Sequence, residues 1–468
     1  MSQTANIPPI STATNMPPPP NVADLDIYYE NGKGFVVGRG SDYVSLTISD
    51  LKIHLRTLGF SGARTLPISA LDRAVHDIQF NKCVAYVGPL AGKKAGLHTI
   101  CGRQILVTGT PAVITPDPAR AWPLIDELVQ EMLGGEGGSQ LPYFFGWLKH
   151  AYSTLAAGTP SQGQALALAG PRDCGKSLWQ QIIRELLGGR EANPYAYMTG
   201  RTDFNRDLFG AEVLSFGDEV ASTDYRNRVK FGGMIKQFVV NTTQRCHGKG
   251  REAVVLDPFW RVIMSLNDEV ASLEVLPPLS QDSLIDKVML LKTRRPALFD
   301  KSDWRSRSRA ENWARIIGEL PGFIAFLEQY QVPHDIRETR LGVKAFQHPD
   351  LMVVIGAESP ERRLLELIDS GKLYWAPGDK TIVYPNDECE RITEREPWSG
   401  TAAQLEARLQ DTDSTRYSAN KLLYYQTACG QYLSALARQY PHRVKQLPLR
   451  DGLNRYQLMP PNSITEQQ

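Results

Sequence analysis

An eight-residue stretch, Gly170-Pro171-Arg172-Asp173-Cys174-Gly175-Lys176-Ser177, constrains this chain more than any other. Its spacing, G-x-x-x-x-G-K-S, is that of a phosphate-binding loop. Such a loop needs a strand before it and a helix after it, and both are legible. Ala165–Ala169 is a short apolar strand, and residues 177–187 carry Leu178, Ile182, Ile183, Leu186 and Leu187 on one helical face before Gly188-Gly189 ends the run. Gly170 and Gly175 let the backbone aim several N–H groups at one phosphate. Lys176 sets a point charge against the β- and γ-phosphates, and the Ser177 hydroxyl is a Mg²⁺ ligand. The helix N-terminus adds partial positive charge. The expected cofactors are therefore ATP and Mg²⁺, held by residues 170–177. Cys174 is expected to give its backbone N–H, and its thiol raises the question of oxidation sensitivity.

A loop of this kind works with an acidic residue at the end of a neighbouring strand. Glu212-Val213-Leu214-Ser215-Phe216-Gly217-Asp218-Glu219 supplies one. Asp218 is the expected Mg²⁺ partner, and Glu219 the expected general base. A third apolar run, RVIMSLND (261–268), places Asn267 near its end, where an amide can meet the γ-phosphate or the attacking water; taken alone, it reads first as the start of a turn. Strands alternating with helices from residue 139 to 295 predict an α/β domain with a largely parallel sheet. Between the acidic pair and Asn267, strand-like flanks surround His247-Gly248-Lys249-Gly250. They predict a basic β-hairpin, entered from Lys236 and carrying Arg245, His247, Lys249 and Arg251 as candidate DNA contacts; a solvated surface hairpin is the alternative.

The rest of the chain divides by composition. Residues 1–23 are rich in Pro, Ser and Thr and predict a disordered tail. Residues 24–138 are mixed α and β: a hairpin over 27–37 turning at Asn31-Gly32, helices over 48–58, 69–78 and 122–133, and strands within 102–114. Glycines across 134–140 mark the expected boundary with the P-loop domain, 139–295. Residues 296–395 are expected to be mostly helical, with helices over 311–320, 322–330 and 361–368. Residues 396–468 predict helices over 401–409 and 420–440 and two short strands, 443–447 and 455–459, a winged-helix-like arrangement. Arg438, Arg443, Lys445, Arg450 and Arg455 surround one acid there, Asp451, and suit DNA or a protein partner. Net charge is +1, so any polyanion site must be local. The six cysteines form no CxxC pair, which argues against zinc and a disulfide framework. No stretch approaches the roughly 18 apolar residues of a membrane span, and no signal peptide is evident. A cytoplasmic protein is expected.

The order of P-loop, strand with Asp-Glu, Lys-containing basic hairpin and strand with Asn resembles the superfamily 3 helicases, and most of all the primase-helicases of phages and prophages. YFFGWLKHAY (143–152), DLFGAE (207–212), ELPGFIAFL (319–327), RLGVKAFQHPDLM (340–352) and VAYVGPLAGKKAGLHTICGRQILVT (84–108) are similar to that group as well. The resemblance implies an α/β fold with a P-loop AAA+ ATPase core, an α+β N-terminal domain and a C-terminal winged-helix-like domain. It implies an ATP hydrolase acting as a DNA helicase, a homo-oligomeric ring of hexamer type on single-stranded or forked DNA. In its terms Lys176 and Ser177 are motif A, Asp218 and Glu219 motif B, and Asn267 the motif C sensor. Lys236 through Lys249 fall in the DNA-loop motif. The family's trans-acting arginine finger is expected near Lys287, with Arg294 or Arg295 as substitutes. Asp24 and Asp26 are the only early carboxylate pair, so any priming falls to a separate primase or polymerase. Two alternatives stay open: a loader or remodeller without unwinding, and an origin-binding protein.

Overall fold

The computed structural model describes residues 18–461 except 41, 65–66, 136–138, 160, 218–224, 274–275, 277–281, 358–359, 371, 375–395 and 451. The described residues divide into two compact units, Met1–His348 and Pro349–Gln468. Residues 1–17 of the expected tail lie outside the description; Asn21 then caps a 3₁₀ turn at Val22–Asp24.

The first unit opens with β1 (Ile27–Glu30), β2 (Gly34–Arg39), β3 (Asp42–Leu46), α1 (Ile48–Thr57), α2 (Ala70–Asn81), β4 (Cys83–Val84), β5 (Tyr86–Gly88), β6 (Gly96–Ile100) and β7 (Arg103–Val107). These form two small sheets, ordered β3-β2-β1-β4 and β5-β7-β6. The Asn31-Gly32 turn joins β1 to β2, with Gly32 at φ 71°, the left-handed conformation such turns require. Thr47 and Ser69 cap α1 and α2 through their hydroxyls. The helices bury Leu51, Leu55, Leu71, Val75 and Ile78 against Ile27 and Phe35.

Next come α3 (Pro123–Leu133), α4 (Leu141–Ala156), β8 (Ala165–Ala169), α5 (Lys176–Leu186), β9 (Glu191–Ala192), α6 (Tyr195–Met198), β10 (Val213–Phe216), α7 (Tyr225–Val240), β11 (Gln244–Cys246), β12 (Val254–Leu256), β13 (Arg261–Leu266), α8 (Val270–Leu273), α9 (Asp282–Ile285) and β14 (Val288–Lys292). Five strands form one parallel sheet, ordered β14-β8-β13-β10-β9, as the alternation of the sequence predicts. Every residue of β8, β10 and β13 is buried, and parallel strands covered on both faces read as unbroken apolar runs. The glycine-rich segment 134–140 does not separate two cores. Leu124, Leu128 and Met132 of α3 lie in one continuous core with Leu166, Trp179 and Ile263 of the sheet layer.

The unit closes with α10 (Ser302–Arg305), α11 (Arg309–Gln329), β15 (Arg337–Glu338) and β16 (Gly342–Val343). The two helices expected over 311–320 and 322–330 are one. Pro321 lies inside α11, where it removes a helical hydrogen bond at a cost of ~3 kcal/mol. Burial of Leu320, Phe323, Ile324 and Leu327 offsets that cost, each side chain giving roughly 1.5–3 kcal/mol. The Pro321 carbonyl accepts the Asp117 N–H at 2.9 Å. Gly322 has no room for a side chain, since a Cβ would overlap the Arg120 carbonyl.

The second unit holds α12 (Pro349–Ala357), α13 (Pro360–Ser370), β17 (Trp398–Thr401), α14 (Ala402–Asp411), α15 (Asp413–Leu422), α16 (Ala428–Gln439), β18 (Val444–Arg450) and β19 (Leu453–Leu458). The sheet order is β17-β19-β18, antiparallel throughout. The helix expected over 420–440 is interrupted between Leu422 and Ala428, so α15 and α16 pack separately around Tyr432, Leu433 and Leu436. Arg443 is buried, paired with Asp369 and donating to the Met459 carbonyl at 3.0 Å. It holds the unit together and is not a surface contact as its sequence neighbourhood suggested. No helix among the described residues is long and apolar enough to cross a membrane.

His150 on α4 yields a test of this packing. Its ring lies against Gly342, and its Nε2 meets the Gln162 carbonyl at 2.8 Å. Burial, reinforced by the Arg261 guanidinium, holds its pKa down to about 4. The unfolded chain therefore takes up this proton near pH 6.5 and the folded chain does not. Stability from this group is full above that value and falls as pH drops towards 4, by about 3 kcal/mol in all. We expect His150→Asn to flatten the difference in urea midpoint between pH 7 and pH 4.5, whatever it does to absolute stability. An unchanged pH slope would refute this account.

Candidate functional site

β8 lies between β13 and β14, with Ala169 opposite both Leu266 and Lys292. The residues just past these three strand ends are therefore neighbours: Gly170, Asn267 and Thr293. They stand at the carboxyl edge of a parallel sheet, where open α/β folds bind ligands. The Gly170 N–H donates to the Leu266 carbonyl at 3.2 Å, and the Thr293 N–H donates to the Ala169 carbonyl at 2.7 Å. Gly170 is required by crowding rather than by its own dihedral, because a Cβ there would overlap the Thr293 hydroxyl and carbonyl.

The loop then turns through two left-handed residues, Asp173 at φ 57° and Gly175 at φ 92°. Pro171, Arg172, Asp173 and Ser177 are exposed, whereas Cys174 and Lys176 point inward. The Lys176 ammonium donates to the Gly170 carbonyl at 2.8 Å, the Pro171 carbonyl at 2.7 Å and Asn267 Oδ1 at 3.3 Å. The structure thus brings the Lys176 ammonium and the Asn267 amide into direct contact. The Cys174 thiol is buried and lies 3.2 Å from the Thr293 hydroxyl, facing away from the exposed side of the loop. That places it out of easy reach of oxidants.

Asp218 and Glu219 lie outside the described residues. Their approach is visible. β10 pairs in parallel with β13 through Phe216↔Met264, so it ends at the same sheet edge as the loop. Gln180 on α5 donates to the Phe216 carbonyl at 3.3 Å. Among the described residues no group of three or more His, Cys, Asp or Glu gathers as a metal cluster.

The expected finger candidates separate. Lys287 is buried before β14 begins, paired with Asp286, at the sheet edge opposite the loop. Arg294 and Arg295 follow β14 at the loop's own edge. Arg295 donates to the Asp173 carbonyl at 3.0 Å and pairs with Asp300 at 3.0 Å. Sequence reading missed Thr293, whose role rests on the β14 register, and Phe299, whose ring stands 3.0 Å from where a Gly175 Cβ would be.

The basic hairpin exists, but it is shorter than expected. β11 and β12 pair through Gln244↔Leu256, Arg245↔Val255 and Cys246↔Val254. Lys236 is exposed on α7, a helix, so the strand reading of residues 236–241 is corrected. Phe238, Val239 and Ile235 are buried at helical spacing there, and apolar runs of this length do not separate strand from helix. Arg245 and Lys249 are exposed. Arg251 pairs with Glu30 of β1, which also holds Arg206 at 3.2 Å. The Arg206 guanidinium lies 4.4 Å from the Tyr86 ring centroid. Burial pushes the Cys246 thiol up to about 11. Asn205, buried, fastens the hairpin: its Oδ1 accepts the His247 N–H at 2.8 Å and its Nδ2 donates to the Arg245 carbonyl at 3.0 Å. The His247 ring faces Phe204, 5.1 Å between centroids.

Residues 168–282 match a protein family of unknown function, DUF5906. The match runs from inside β8 to the start of α9 and so includes the loop, the hairpin and Asn267. No curated protein matches the chain. Among solved structures, the A form apo structure of the C-terminal region of NrS-1 is similar over 93% of this chain and 96% of that one, at 12% identity and TM-score 0.51. A second apo structure of the same region gives 11% identity, the same coverage and TM-score 0.51. A JCV helicase crystal structure matches over 50% of this chain and 64% of its own, at 14% identity and TM-score 0.26. At these identities the NrS-1 likeness establishes a shared fold.

The Asn205 clasp makes a prediction. Asn205→Ala leaves the His247 N–H and the Arg245 carbonyl without these partners, at a cost of about 1–3 kcal/mol. Amide exchange at His247 should accelerate more than exchange in β8. Equal protection in the two variants would show that the clasp does not hold the hairpin.

Proposed function

We propose that the chain is an ATP-dependent DNA helicase of a phage or prophage replication system, working as a homo-oligomeric ring on single-stranded DNA. The observation that carries this reading is the contact of Lys176 with Asn267 Oδ1 at the carboxyl edge of the sheet. It joins the two polar groups that a nucleoside triphosphatase needs around its γ-phosphate, one from each of two adjacent strands.

The residues present fit ATP and Mg²⁺. Left-handed Asp173 and Gly175 curve the backbone, and α5 begins at Lys176, so N–H groups and a helix N-terminus converge on the loop. Lys176 would exchange its carbonyl partners for phosphate oxygens, and Asn267 would orient the γ-phosphate or the water. Ser177, with Asp218, would hold Mg²⁺, which neutralises charge on the phosphates when bound. Glu219 would take the proton of the attacking water. Arg294, Arg295 or Lys287 would supply the finger cation to the loop of a neighbouring copy. Lys236, Arg245 and Lys249 offer charge to a phosphodiester backbone, as does the exposed Arg438–Lys445 pair of the second unit, which rims a cavity of about 450 Å³ between α16 and β18.

A second reading, an ATPase that loads or remodels without unwinding, is favoured by the tethering of Arg251 to Glu30 and of the hairpin to Asn205. A tethered hairpin travels little on its own. Strand displacement separates the two.

ATP hydrolysis should rise with single-stranded DNA and fall by at least about 10²-fold in Lys176→Ala. Glu219→Gln should retain ATP binding while losing turnover. DNA affinity should drop steeply between 50 and 200 mM salt, as multiple phosphate contacts require. Wild-type turnover no higher than that of Lys176→Ala would remove the ATPase reading. Turnover without strand displacement would favour the loader.

A further inference from the structure

Beside the P-loop lies a cavity of about 800 Å³, lined by Leu178, Gln181, Arg295, Phe299, Trp304 and Trp313 among others. It adjoins the loop from two sides. Leu178 follows Ser177 directly, and Gln181 is one turn of α5 further on. From the other side Arg295 donates to the Asp173 carbonyl, and Phe299 packs where Gly175 leaves space. A molecule in this cavity is therefore within one residue of the phosphate loop.

The walls are unusual for a surface. Trp304 and Trp313 are only partly buried, and the Phe299 and Trp304 rings lie 5.2 Å apart at 37°. The Asn312 amide is spent on the Trp304 carbonyl at 2.9 Å, which fixes that turn. The rim is cationic. Asp300 pairs with Arg295 and Arg305, and Asp303 pairs with Arg307 and Arg315. Arg309, also on the lining, has no ion-pair partner among the described residues. Nor does the Gln181 amide make a hydrogen bond among them. An aromatic floor, one uncommitted amide and surplus positive charge beside a phosphate loop match a flat heteroaromatic ring joined to an anion. The volume falls in the range of roughly 300–1,000 Å³ typical of small-ligand sites.

We propose that this cavity is the nucleoside subsite of the P-loop, in which a purine base stacks on the Trp304, Trp313 and Phe299 aromatic wall and Gln181 meets the base edge. The inference rests on the nucleotide-binding reading of residues 170–177. Stacking supplies affinity with little discrimination, since every base presents a π-face. The Gln181 amide can either donate or accept. ATP and GTP therefore both fit, and pyrimidine triphosphates, with less surface to stack, bind more weakly.

The full chain is titrated calorimetrically with ATP, with inorganic tripolyphosphate and with a single-stranded oligonucleotide. Trp313→Ala is expected to weaken ATP binding about ten- to hundredfold while leaving tripolyphosphate unchanged. Trp313→Phe keeps a stacking face and should restore most of the loss. Gln181→Ala, a change on a half-exposed helix face, should alter the ratio of ATP to GTP affinity. Lys176→Ala is expected to weaken ATP and tripolyphosphate together. Equal losses of ATP and tripolyphosphate in Trp313→Ala, or no loss of either, would overturn the proposal, as would weakened oligonucleotide binding with ATP affinity intact. Failure of Lys176→Ala to affect either ligand would instead overturn the P-loop reading beneath it.

Discussion

The placement of one strand governs the site. β8 is buried over its whole length and hydrogen-bonded on both sides. Its sequence, Ala-Leu-Ala-Leu-Ala, gives it alternating faces. Leu166 and Leu168 enter the core formed with Trp147, Trp179 and Phe323, while the intervening alanines keep the other face thin. Because side chains on a strand alternate, a register slip of one residue would turn the leucines out of that core. The same register aligns Ala169 with Leu266 and Lys292. The meeting of Gly170, Asn267 and Thr293 is thus a by-product of core packing. It explains how a loop of exposed residues holds a defined curvature: its first residue is pinned between two neighbouring strands.

A second constraint acts on the hairpin. Glu30 belongs to the N-terminal sheet yet accepts from Arg206 and Arg251, both of the segment that carries the five-stranded parallel sheet. Removing one partner of so buried a carboxylate is costly, because the remaining charges keep their desolvation without full compensation. The N-terminal sheets and the hairpin are therefore coupled electrostatically, through side chains some 176 and 221 positions apart in sequence.

Much of this was legible in the sequence where the determinant is local. The strand and helix that flank the loop at 170–177, the Asn31-Gly32 turn and the parallel alternation all depend on neighbouring residues. What was not legible depends on distant partners. Nothing near Arg443 or Arg251 announces Asp369 or Glu30, so in sequence both look like surface charges. Pro321 is a local helix breaker overruled by the burial of Phe323 and Leu327. The stretch 236–241 is apolar enough for strand or helix, and only packing around Phe238 decides. The aromatic cavity is assembled from α5, the segment after β14 and two later helices, with no motif to join them. Asp218 and Glu219 remain known from sequence alone.

With a net charge of +1, a polyanion cannot be drawn by the chain as a whole. Several arginines of the first unit are internally matched: Arg190 with Glu212, Arg184 with Glu185 and Glu191, Arg206 and Arg251 with Glu30, Arg295 and Arg305 with Asp300. A matched cation must break a pair to bind a phosphate, which removes most of the gain. Lys236, Arg245 and Lys249 have no ion-pair partner among the described residues, and they belong to one continuous segment, the end of α7 and the hairpin that follows. Arg309 is free in the same sense, but at the cavity by the loop. These four cations thus fall into two places with different geometry. One is an exposed ridge, suited to an extended backbone; the other rims an aromatic recess, suited to a single nucleotide.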